Sequence, residues 1–124
     1  MRTDRFACLA AASAIMLALL FLRADPNLGE WDKLAHFFAF GLITALLWHG
    51  TEGDAPLAVL GAVVAFGALD EVHQIFVPGR TAELADFIAD AAAATTVCGA
   101  LLIRRKLLCA ELSRPLPAAT SCRS

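Results

Sequence analysis

Four long apolar stretches divide the chain: Phe6 to Leu22, Leu34 to Trp48, Leu57 to Val77 and Ala85 to Ile103. None shows the period-two alternation of a half-buried strand. They are continuous runs of Ala, Leu, Phe and Val, and so predict helices. Each lies near the roughly 20 residues needed to cross a hydrocarbon core of about 30 Å. The second is the shortest, but Trp31 and Trp48 bracket it, about 26 Å apart along a helix. That separation places both indoles in the interfacial belts. The links Arg23 to Lys33, His49 to Pro56 and Pro78 to Leu84 are brief. Short links predict antiparallel neighbours, hence an all-α membrane protein built as an up-down bundle of four transmembrane helices.

Residues 1–103 thus form one four-helix transmembrane domain, and 104–124 a basic, disordered cytoplasmic tail. Asp32 is placed to cap the second helix, and Asp54 with Pro56 to open the third. Pro78-Gly79 is expected to stop the third, and Thr81 to cap the fourth with Glu83 in its first turn. Gly61 with Ala65, Ala85 with Ala89 and Ala93, and Ala14 with Ala18 have the spacing of close helix contacts. The first run has a basic start, but Leu22-Arg23-Ala24 is a poor cleavage site, so it reads as a retained span.

Composition sharpens this picture. The 124 residues are 59% hydrophobic with a formal net charge of −2, so no basic field points to nucleic acid. Lys and Arg are uneven: Arg2, Arg5, Arg104, Arg105, Lys106, Arg114 and Arg123 share one side, against Arg23, Lys33 and Arg80 on the other. The positive-inside rule then gives an N-in, C-in topology, with Arg104-Arg105-Lys106 as a stop-transfer anchor. Four cysteines occur without C-x-x-C spacing; Cys8 and Cys98 lie in apolar runs, and Cys109 and Cys122 in the tail, so none is read as functional.

Candidate chemistry sits where the apolar pattern is broken. Asp70, Glu71, His73 and Gln74 fall in the last turns of the third run, Arg80 follows, and Asp86 and Asp90 open the fourth. Asp32, Lys33 and His36 open the second. With N-in topology all of them reach the outer half of the membrane. Asp70, His73 and Gln74 share one helix face at i, i+3, i+4, as do Asp86 with Asp90 and Asp32 with His36. Lipid cannot solvate such groups, so these faces are expected to turn inward or line a wet cleft. Five carboxylates face the two permanent cations Lys33 and Arg80. Either some acids are neutral or a cation binds. Plainer roles compete: Asp32 and Lys33 as cap and anchor, Arg80 as a loop cation, Asp90 as interhelical glue.

The combination Asp32-Lys33-x-x-His36-Phe37, Asp70-Glu71-x-x-Gln74-x-Phe76-Val77-Pro78-Gly79-Arg80 and Asp86-x-x-x-Asp90 resembles the VanZ-like family. The resemblance runs from about Asp32 to Ile103. It implies a multi-pass protein of the bacterial cytoplasmic membrane and, through the founding member, a link to resistance against teicoplanin. Asp90 replaces a frequent Asn, Ala93 and Val97 replace frequent glycines, and Glu83 a frequent Ser. Two functions stay open. One is a cell-envelope accessory protein binding an envelope lipid, its headgroup or a precursor, with Lys33 and Arg80 on phosphate and the carboxylates orienting them or recognising an amine. The other is an enzyme using Asp70, Glu71 and His73 as acid-base groups. No cofactor is expected, although a divalent cation in the carboxylate and histidine cluster remains an alternative. A continuous ion path is disfavoured, because the inner halves of the runs are apolar apart from threonines.

Overall fold

The computed structural model describes residues 2–21, 30–78 and 82–113. They form α1 (Arg2–Phe21), α2 (Glu30–Gly50), α3 (Pro56–Gln74) and α4 (Leu84–Leu112). All four expected helices are present, and the described residues contain no strand. Three of them, α1, α3 and α4, are long and apolar enough to cross a membrane. α2 is as long, but Lys33, His36 and His49 lower its hydropathy. α2 is the central helix: it packs most heavily on α4 and on α1, and α3 packs mainly on α4.

Contacts between helix ends fix the alternation. The start of α1 meets the end of α2 through Arg5 and Gly50. The start of α2 meets the start of α4 through His36 and Asp90. Cys98, midway along α4, reaches the Pro56 carbonyl at the start of α3. The chain therefore runs up and down, with α2 and α4 pointing the same way. The core between them is Phe40, Ile43, Val63, Phe66, Ala93 and Ala94.

Local chemistry explains the element ends, and differs in places from the expectations. α2 starts at Glu30, so Asp32 stands inside its first turn and is not its cap. α3 opens with Pro56 directly after Ala55, without a side-chain cap; proline suits this place because its missing N–H would have no partner there. Asp54 instead pairs with Arg105 at 3.5 Å. Glu83 is the residue preceding α4, and Thr81 lies outside the described residues.

Three expectations about packing are overturned. The segment Arg104 to Leu112 is helical, a continuation of α4, and is not a disordered tail. Arg, Lys, Leu, Ala and Glu are strong helix formers, so the helix outlasts the apolar run. Residues 114–124 lie outside the described residues. Trp48 is buried, not displayed at a belt; its indole covers the turn after α2, where Gly53 has φ 70° and a Cβ would fall 2.9 Å from the ring. Gly61 and Ala65 face outward with nothing packed on Gly61. The close approach occurs at Gly67, where a Cβ would sit 3.3 Å from the Phe40 ring and 3.5 Å from Asp90.

Candidate functional site: a buried polar cluster at one end of the bundle

The inward stripe of α3 is Val59, Val63, Phe66, Gly67, Asp70 and Gln74. Helical spacing therefore carries Asp70 and Gln74 onto the same face as the apolar core. On α4 the corresponding stripe is Asp86, Asp90, Ala93, Ala94 and Cys98. On α2 it holds His36, Phe40, Ile43 and Thr44. Each stripe is apolar toward the middle of the bundle and polar at one end, and the three polar ends meet.

The meeting is tight. Asp70 is fully buried, and Asp90, Gln74, His36 and Asp86 are each less than a tenth exposed. The Gln74 amide donates to Asp70 Oδ2 at 3.1 Å, one turn along α3. His36 Nδ1 lies 3.5 Å from Asp90 Oδ1, joining α2 to α4. Phe40 stacks on His36 with ring centroids 6.1 Å apart, and leans on Phe66 at 5.7 Å. An aromatic wall thus separates the polar group from the rest of the core. The cluster is not closed on itself. Asp70 Oδ1, Asp90 Oδ2 and both oxygens of Glu71 are shielded from solvent and make no hydrogen bond to the described residues. Buried polar atoms are nearly always bonded, so such a concentration sets this end of the bundle apart.

Glu71 lies at the margin, half-buried, with its carboxylate near the Glu83 backbone amide outside bonding geometry. It is close enough to be repelled by Asp86, Asp70 and Asp90. Asp90 in turn feels both Asp70 and Asp86.

The other expected residues divide. Lys33 pairs with Glu83 at 3.3 Å, at the rim. His73 is only half-buried and stands beside the stripe that Asp70 and Gln74 occupy, so the face expected to hold all three is centred on the other two. The Asp32 side chain and Arg80 lie outside the described residues. Among the described residues, no three His, Cys, Asp or Glu side chains come together in a way that could hold a metal ion. Sequence reasoning missed Phe40, Gly67 and Glu83. Phe40 and Gly67 were findable, being i+4 from His36 and i−3 from Asp70. The Lys33–Glu83 pair joins two helices, and no local spacing signals it.

A family model described as VanZ/LLP1 matches residues 5–107. No curated protein and no solved structure matches the chain. The match covers all four helices, from the first turns of α1 to the extension of α4.

Proposed function

The chain belongs to the VanZ/LLP1 family, and from that premise we propose that it is a cell-envelope accessory protein of the bacterial cytoplasmic membrane. Its polar end faces outward and binds an envelope lipid or lipid precursor by the headgroup. The observation that carries this reading is Asp70. A carboxylate with no exposure and one unbonded oxygen, inside a membrane-spanning helix, is expensive to bury unless a ligand or a network needs it. Lys33 at the rim and Arg80, which lies outside the described residues, supply phosphate contacts, and the acids receive or orient the rest of the headgroup.

Orientation is part of the proposal. Cys109 is exposed on the α4 extension. In a Cys122→Ser background, a membrane-impermeant maleimide is expected to label Cys109 in inside-out vesicles and not in right-side-out ones. Labelling from the outside would reverse the topology.

The binding reading is tested by native mass spectrometry of the detergent-purified protein. Lipid should be retained by the wild type and lost in Asp70→Asn and Arg80→Ala; wild-type protein free of lipid would refute it. Susceptibility to teicoplanin, compared with vancomycin in strains with and without the gene, tests the phenotype carried by the family. One observation favours an enzymatic alternative: a buried imidazole held by a carboxylate, His36 with Asp90, is an acid-base pair. That alternative requires a product to accumulate when bound lipid is incubated with wild type and not with His36→Ala.

A further inference from the structure

The C-terminal half of α4 carries a second pattern, turned away from the bundle. Thr96, Ala100, Ile103, Leu107 and Ala110 recur at spacings of four, three, four and three, and all five are exposed. That is the a/d spacing of a coiled coil, with Ala100 and Leu107 at a and Thr96, Ile103 and Ala110 at d. The opposite side of the same turns faces the bundle: Cys98 is buried and reaches the Pro56 carbonyl, and Arg105 bonds the Gly53 carbonyl. A surface groove of about 500 Å³ opens beside the stripe, lined by Ala100, Ile103, Arg104, Leu107, Leu108 and Glu111, all from α4. Leu107 and Ala110 lie past the charge run Arg104-Arg105-Lys106, where the hydrocarbon core is expected to end. Lipid tails therefore do not account for the exposure of Leu107, and an uncovered apolar stripe marks an interaction surface.

We infer that this stripe is the interface with a second copy of the chain, α4 against α4 in parallel. Charge complementarity assigns the partner. Lys106 takes position g and Glu111 the e position of the next heptad, the two that face each other across a parallel pair. On one helix they stand about 140° apart and cannot meet. Neither has an ion-pair partner among the described residues. In a two-fold dimer each Lys106 faces the Glu111 of the other copy, so one match is used twice. Copies inserted into one membrane share one orientation, which makes the parallel arrangement the natural one. The helix is already formed as the continuation of a span, so pairing need not supply its nucleation. An acyl chain in the groove would leave both charges unmatched.

The test follows the monomer–dimer equilibrium of the full-length protein, labelled at its N-terminus, by single-molecule photobleaching in lipid vesicles over a range of protein-to-lipid ratios. Wild type is expected to dimerise. Lys106→Glu and Glu111→Lys each set like charges across the seam and should each weaken association at least about fivefold. The double exchange, Lys106→Glu with Glu111→Lys, restores opposite charges and should return association to within about twofold of wild type. Leu107→Glu, which puts a charge at the centre of the seam, should abolish pairing. A wild type that is monomeric at every dilution, single exchanges without effect, or a double exchange as weak as the singles overturns the inference. A dimer that survives Leu107→Glu overturns it as well, by placing the contact elsewhere.

Discussion

At the loop end of the bundle, Arg5 reaches Glu52 at 3.1 Å and the Gly50 carbonyl at 3.3 Å, while Arg105 bonds the Gly53 carbonyl and faces Asp54. These charged side chains are 45% to 72% exposed. At the opposite end, His36, Asp70, Gln74, Asp86 and Asp90 are each less than a tenth exposed. The first arrangement pairs acids with guanidinium groups and staples α1 and α4 to the turn after α2. The second buries three acids, one of them facing an imidazole, and leaves oxygens unbonded. A protein that only needed its helices held together would use the first arrangement twice. The difference fits anchoring at one end and, under the proposed function, recognition at the other.

The largest effects are expected where burial is complete. His36→Ala strips the buried Asp90 carboxyl of the imidazole that faces it, and leaving a buried polar group unsatisfied costs about 1–3 kcal/mol, more for a charged one. Thermal unfolding in detergent should show this as a marked drop in Tm; an unchanged Tm would mean that the pair is solvated. Gln74→Ala removes the donor to Asp70 Oδ2, and leaving a buried acceptor unsatisfied costs about 1–3 kcal/mol. Gly67→Val presses on Phe40 and Asp90 together, an overpacking of about 1–3 kcal/mol that should also weaken lipid retention. Gly53→Ala forces a left-handed residue against the Trp48 indole, at a cost of about 1–2 kcal/mol for the backbone alone. Asp54→Ala is expected to cost no more than about 1 kcal/mol, being an exposed pair, and to soften further in high salt. Should Asp54→Ala prove as damaging as His36→Ala, the contrast between the ends would collapse.

Much of this division was legible in the sequence, because both depth and face follow from spacing. Apolar runs gave the four helices to within a few residues except at the end of α4, which runs on from Ile103 to Leu112, and the i, i+4 pairs Asp86 with Asp90 and Asp70 with Gln74 gave the inward polar stripes. What spacing lacks is azimuth relative to neighbours. Gly61 and Ala65 have the right separation for a contact, but Gly61 lies about 200° around α3 from Val63, on the outward side. The tryptophan argument concerned the depth of Trp48 alone and said nothing of its facing the turn after α2. Arg104-Arg105-Lys106 was readable as a charge run, yet its role as the clamp on Gly53 and Asp54 depends on a loop some fifty residues earlier in the chain. The pairing of Lys33 with Glu83 is tertiary in the same sense.

The account stands on side chains from separate helices acting as one buried group, and a double-mutant cycle on His36 and Asp90 reads that directly. His36→Ala, Asp90→Ala and the double variant, unfolded reversibly in the same detergent, should show a coupling energy of about 1–3 kcal/mol. The double variant would then cost less than the sum of the two single ones by that amount. Strictly additive effects, with coupling inside the error of the measurement, would show that the two side chains do not meet and would contradict the site.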